Sequence, residues 1–213
     1  MSPWDRFVLP RLVNWACGVR SVDRQRAKVI PRARGRVLEI GIGSGLNFPH
    51  YDPEAVTEVV GVDPSAPLLE DARRAAGSAL VPVTLEEGTA EALPVADASV
   101  DTVVTTYTLC SVPDVDRALS EVRRVLCAGG ALLFCEHGLA PDEQVRRWQR
   151  RLTPVWKRIG GGCNLDLPVP GLLEAAGFHV DDLETMYLPG LRFMNFNYWG
   201  LATASPSADQ PRE

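Results

Sequence analysis

Val37-Leu38-Glu39-Ile40-Gly41-Ile42-Gly43-Ser44-Gly45 runs a short strand-forming segment straight into three glycines separated by single residues. A backbone without Cβ atoms can turn sharply and lets a ligand approach closely, so the pattern predicts a buried strand whose carboxyl end opens on a nucleotide site. The next apolar run, Val59-Val60-Gly61-Val62, ends at Asp63. A carboxylate at the tip of the second strand is placed to accept both hydrogen bonds of a ribose diol. A tight strand-to-helix turn with Asp63 as a helix cap would account for the glycines alone. Having Glu39 and Asp63 both in register favours the ligand reading.

Charge narrows the ligand. A dinucleotide turn has the form G-x-G-x-x-G or G-x-G-x-x-A, whereas here the third glycine comes one place early and position 46 is Leu46. Glu39, two residues ahead of the turn, would repel a pyrophosphate but suits an ammonium and a sulfonium. The expected cofactor is therefore S-adenosyl-L-methionine, with S-adenosyl-L-homocysteine as product, rather than NAD.

Outward from the glycine turn the pattern alternates between strands and helices. Leu46 to Tyr51 is expected to begin a helix, Pro67 to Ala76 to form the next, and Val115 to Leu126 another. Val81 to Leu85, Val100 to Thr106 and Ala131 to Cys135 read as strands, and their short apolar runs imply burial on both faces. Val169 to Ala176 reads as helical. His179 to Leu188 and Phe193 to Ala202 are spaced as an antiparallel hairpin at the sheet edge. The fold expected is α/β: a Rossmann-like, seven-stranded, mostly parallel sheet with helices on both faces. The domain reading is a helical cap over 1–35, the cofactor-binding domain over 36–203 and a polar, proline-containing tail over 204–213.

Composition is that of an ordinary globular chain: 213 residues, 46% hydrophobic, 23% charged, net charge -5. The acidic balance gives no reason to approach nucleic acid. Five cysteines without a C-x-x-C pair or a paired Cys/His spacing predict reduced thiols and no structural metal. The first twenty residues hold Asp5, Arg6, Arg11 and Arg20 among short apolar clusters, so neither a signal peptide nor a transmembrane helix is expected, and the location read is cytoplasmic. Phe7 to Ala16 and the stretch after Ser21 suit two short helices. Val145, Trp148, Leu152, Val155 and Ile159 have helical spacing among Arg146, Arg147, Arg150, Arg151, Lys157 and Arg158. That segment reads as a lid or a peripheral membrane or acidic-partner contact, with Trp148 and Trp156 packed on the sheet and Pro154 interrupting the helix as the default. Arg24, Arg26, Lys28, Arg32, Arg34 and Arg36 read likewise as a solvated charge run.

The stretches VLEIGIGSG, VVGVDPS, EGTAEALPVADASVDTVV and ALSEVRRVLCAGGALLF resemble, in order, the successive motifs of class I S-adenosylmethionine-dependent methyltransferases. The resemblance covers Arg36 to His137. It implies that Glu39 and the backbones of Gly41, Gly43 and Gly45 line the methionine end, that Asp63 holds the ribose flanked by Pro64 and Ser65, and that Thr89, Ala90 and Glu91 meet the adenine. Many members have Asp where Thr89 stands. Thr106 and Leu109 are implied beside the cofactor. Leu109-Cys110-Ser111-Val112, Glu136-His137, Pro154-Val155-Trp156 and Gly162-Cys163-Asn164-Leu165 look like the thiol S-methyltransferase-like branch, which implies a small thiol acceptor. Quinone precursors, phenols and lipid amines are other acceptors of the fold, and a non-catalytic cofactor-binding module is a further reading.

Methyl transfer from a sulfonium needs positioning more than acid-base chemistry. His137, directly after a predicted strand at the ligand-binding edge, reads either as an acceptor-orienting or proton-removing group or as a structural hydrogen bonder. Tyr107 and Cys110 could face the acceptor, Cys110 being read as ordinary packing. His50 and His179 read as structural or solvated, and Asn164 as a loop-ordering residue after the 160–162 glycines.

Overall fold

The computed structural model describes residues 17–204. Seven strands form one sheet in the order β3-β2-β1-β4-β5-β7-β6. They are β1 (Gly35–Ile40), β2 (Val56–Asp63), β3 (Val83–Glu87), β4 (Val100–Thr106), β5 (Leu126–His137), β6 (Phe178–Tyr187) and β7 (Phe196–Ala204). Strands β1 to β5 are parallel, and β7 runs antiparallel between β5 and β6. The helices are α1 (Arg20–Val29), α2 (Ala66–Ala76), α3 (Val115–Val125), α4 (Glu143–Ile159) and α5 (Val169–Ala175).

Alternation along each strand sends neighbouring side chains to opposite faces. Leu38, Ile40, Val60, Val62, Val103, Leu132 and Phe134 pack with Ala118, Leu119 and Val122 of α3 and Leu173 of α5. Val37, Val59, Val104, Leu133 and Cys135 pack on the other face with Val29 of α1 and Leu69 and Ala72 of α2. Helices therefore cover both faces, which is why the parallel strands read as unbroken apolar runs. Each fully buried Leu, Val or Phe contributes about 1.5–3 kcal/mol. α3 begins where the Asp114 side chain accepts from the Arg117 N–H, a helix N-cap. Because β1 leads by way of β2 and β3 in one direction and adjoins β4 in the other, the carboxyl ends of β1 and β4 flank the crevice where such sheets bind ligands.

Several boundaries differ from the sequence reading. Instead of a helix over Leu46 to Tyr51 there is one 3-10 turn, Phe48–His50; Pro49 and Pro53 lack the N–H groups a longer helix would use. β3 starts after Pro82 for the same reason. β5 extends to both sides of Ala131–Cys135, running from the end of α3 to His137. Pro154 does not interrupt α4, which continues through it to Ile159. Trp148 is not packed on the sheet but 55% exposed, as are Val155 and Ile159 in similar degree. The residues α4 turns inward are polar, Gln149 and Thr153. Gln149 explains this: its amide donates to the carbonyls of Gly138, Leu165 and Phe193 and its Oε1 accepts from the Ala140 N–H, so it pins three loops to the helix. The predicted helix over Phe7 to Ala16 and nearly all of the predicted tail lie outside the described residues. Among the described residues no helix is long and apolar enough to cross a membrane.

Candidate active site

A cavity of about 410 Å³ opens at the carboxyl ends of β1, β2 and β4. Its wall combines Gly41 and Gly43 of the glycine turn, Asp63 and Pro64 at the tip of β2, the loop Thr89, Ala90 and Glu91, and Thr106, Tyr107 and Thr108 at the end of β4. The volume lies within the range of small-molecule sites. Gly41, Gly43 and Gly45 all have positive φ, the left-handed region open to glycine. A Cβ on Gly45 would strike the Phe48 ring, and one on Gly41 the Thr108 side chain. A Cβ on Gly43, a residue of the cavity wall, would meet nothing nearer than the Gly41 carbonyl oxygen at 4.0 Å.

Asp63 is fixed by two backbone donors. Gly43 N–H donates to Oδ2 at 2.9 Å and Ser65 N–H to Oδ1 at 2.8 Å. Each carboxylate oxygen retains a lone pair, enough for two neighbouring hydroxyls of a ribose. Burial raises the Asp63 pKa above the ordinary carboxylate value, and the two N–H bonds oppose the shift.

Beneath the turn lies a buried polar network. Glu39 is 1% exposed; its Oε1 accepts from Asn47 Nδ2 at 2.9 Å and its Oε2 from the Tyr51 hydroxyl at 2.6 Å. Arg26, reaching in from α1, donates to Asn47 Oδ1 at 2.8 Å and Thr106 Oγ1 at 2.6 Å and lines the cavity. Burial pushes the Glu39 pKa up to about 7, against the Tyr51 bond, the Arg26 charge and the Asn47 bond. Arg26 Nε is buried without a hydrogen-bond partner among the described residues. Tyr107, with φ of 56°, is one of two non-glycine residues at positive φ among those described, the kind of backbone strain that clusters at sites. Its hydroxyl donates to Asn197 Oδ1 at 2.6 Å, and burial holds the phenol well above its ordinary pKa, so it stays protonated.

Comparison with known proteins agrees with this geometry. Residues 38–134 match the family model described as a methyltransferase domain. Thiol S-methyltransferase TMT1B of Rattus norvegicus is 37% identical over 150 residues, 70% of this chain and 62% of the relative. Thiol S-methyltransferase TMT1A of Homo sapiens is 35% identical over 161 residues, 75% of this chain and 66% of the relative. The chain thus spans just under two thirds of the length of these relatives. A crystal structure of an S-adenosylmethionine-dependent methyltransferase of Thermotoga maritima, described as a possible histamine N-methyltransferase, superimposes with a TM-score of 0.64 at 25% identity, covering 94% of this chain and 97% of that one. Residues 38–134 thus carry a methyltransferase domain, and the chain as a whole is similar to class I S-adenosylmethionine-dependent methyltransferases.

The family's methyl donor is S-adenosylmethionine. Of the residues singled out in the sequence, Gly41, Gly43, Asp63, Pro64, Thr89, Ala90, Glu91, Thr106 and Tyr107 line the cavity. Glu39 lies under it with both oxygens engaged. Gly45 shapes the turn, Ser65 orients Asp63 through its N–H, and Leu109 is in the core. Leu109 and Thr108 N–H groups instead donate to the buried Glu136. His137 is outside the cavity wall, its Nε2 3.2 Å from Cys163 Sγ. His50 bonds Asp23 at 2.8 Å, and His179 is exposed near Asp181.

Arg26 is the member that sequence reasoning passed over, because it sits in a run of cations ahead of β1. Its signal was helical phase: Arg26 and Val29 share one face of α1, and both are buried. Thr108 and Ser111 were missed as well; they lie in the irregular turn after β4, where no periodicity operates.

Proposed function

We propose that this chain transfers the methyl group of S-adenosylmethionine to the sulfur of a small thiol. The observation that carries the donor half is the Asp63 carboxylate, held by Gly43 and Ser65 at the cavity wall with lone pairs to spare. The residues fit the donor chemically. Asp63 suits the ribose hydroxyls, and the Gly43 position leaves the space that a close-lying ligand needs. Arg26 offers one cation for the single carboxylate of a methionine group, and the ammonium and sulfonium charge would draw Glu39, lying below, into its carboxylate form. Thr89, Ala90 and Glu91 form the wall suited to the adenine.

The donor supplies an electrophilic methyl group on a sulfonium. The acceptor sulfur attacks that carbon in line, one carbon–sulfur bond forms, and the old one breaks with its electron pair passing to the departing thioether. The chain's task is to align the two sulfurs and keep water out. A thiol ionises near pH 8.5, so solvent can take its proton without a dedicated base. Tyr107, held protonated, acts as a wall and hydrogen-bond donor rather than as a base. The thiol reading is supported by the names of the relatives above and remains distinct from the donor reading.

The test uses methyl-deuterated donor with a panel of aliphatic and aromatic thiols, phenols and amines, read by mass spectrometry. Labelled thioether and S-adenosylhomocysteine in equal amounts are the expected products. Labelled ether or amine with no labelled thioether would reject the thiol.

A further inference from the structure

Three soft or borderline metal ligands, far apart in sequence, meet beside the donor cavity. Cys110 lies in the 3-10 turn Leu109–Ser111 after β4, His137 is the last residue of β5, and Cys163 follows α4. Their ligand atoms all lie within 4.8 Å of one another. Cys163 Sγ is 3.2 Å from His137 Nε2. The loop bearing Cys163 is fastened there by the Asn164 N–H, which donates to the Cys110 carbonyl at 2.7 Å.

We infer that Cys110, His137 and Cys163 form a site for one thiophilic divalent ion, of which zinc is the natural example. The ligand set is the Cys₂His combination that such ions take with three protein ligands and a fourth position open. Tetrahedral bonds of about 2.3 Å to sulfur and about 2.0 Å to nitrogen put ligand atoms about 3.5–3.8 Å apart. The observed cluster therefore needs to contract by little more than about 1 Å. Neither thiol is in a disulfide. Cys110 touches Cys163 and otherwise makes only long contacts, 3.8 Å to the Tyr107 carbonyl and 3.6 Å to Ser111 Oγ. His137 turns Nε2 toward Cys163, and its Nδ1 is buried without a partner among the described residues. Without an ion, the neighbouring Cys110 and burial both push the Cys163 thiol up; an ion would favour its thiolate instead.

The site adjoins the cavity through Tyr107 and Ser111, which flank Cys110 and line the cavity wall. An open fourth position can take a thiol as thiolate, releasing its proton to solvent and presenting the sulfur to the methyl donor. That use rests on the proposed thiol acceptor; the ion site itself does not.

The test is cobalt(II) titration of the full chain after reduction and chelation, followed by absorption spectroscopy. One cobalt per chain is expected, with an intense thiolate-to-cobalt charge-transfer band. C163S and C110S should each lose about half or more of the band's intensity and bind at least about 10-fold more weakly, while C127S keeps both. Circular dichroism checks that the variants fold, and C163S, changed in a loop, decides the matter if C110S does not. Adding 2-mercaptoethanol should intensify the band. No charge-transfer band in the parent chain, or one undiminished in both band and affinity in C163S, would overturn the site; a band indifferent to the thiol would overturn the open position. Because the readout needs no methyl transfer, its failure is separable from failure of the thiol panel.

Discussion

Two residues set the charge of the donor pocket from opposite sides. Asp63 reaches the wall with each oxygen tied to one backbone N–H, so its orientation is fixed before any ligand arrives. On the proposed donor reading, Asp63→Ala removes two charge-assisted hydrogen bonds to the ribose hydroxyls. Calorimetry should show S-adenosylhomocysteine binding about 10- to 100-fold more weakly, with the fold intact by circular dichroism. Arg26 answers it from α1. Arg26→Met leaves Asn47 Oδ1 without its buried donor, takes one of two donors from Thr106 Oγ1, and leaves the cavity without its cation. Donor affinity and thermal stability are both expected to fall, whereas Arg24→Met, on the solvent side of α1, should change neither. Asp63 was legible in sequence because a strand tip after a glycine motif is a fixed address. Arg26 was not, because its role depends on how α1 lies against the sheet, a tertiary fact that local pattern does not encode.

At the scale of elements, the glycine turn separates two reasons for having no side chain. Gly45→Ala puts a Cβ into the Phe48 ring at positive φ and should cost stability by about 2 kcal/mol or more in urea unfolding. Gly43→Ala meets nothing nearer than 4.0 Å, so its folding penalty is limited to the backbone strain, about 1–2 kcal/mol, while donor affinity should suffer more than for Gly45→Ala among molecules that fold. α4 teaches a different lesson. Its inward face is held by hydrogen bonds from Gln149 rather than by apolar packing, which is why the apolar spacing of Trp148, Val155 and Ile159 misplaced the buried side. Gln149→Leu strands several buried backbone groups and should destabilise by about 3 kcal/mol or more. Pro154 is tolerated inside α4 on an exposed stretch, a context the sequence rule for proline does not contain.

For the molecule as a whole, the two-sided sheet was readable because burial on both faces leaves unbroken apolar runs, and strand-helix alternation then dictates parallel pairing. The boundaries that shifted did so at prolines and turns. The convergence of Cys110, His137 and Cys163 was invisible because residues separated along the chain meet only after the loop following α4 folds back. Glu39 gives the molecule a pH signature. The folded chain holds its proton up to about pH 7, whereas an unfolded chain releases it near the ordinary value of 4.5. This contribution to stability is complete below the unfolded value and is lost as pH rises through about 7. The melting temperature should therefore fall between about pH 5 and about pH 8, and Glu39→Gln should flatten part of that slope. The donor site itself is tested most directly by calorimetric titration of the purified chain with S-adenosylhomocysteine and NADH side by side. Saturable binding of S-adenosylhomocysteine at one site per chain, with no heat from NADH, is expected; tighter binding of NADH would contradict the assignment of the cavity.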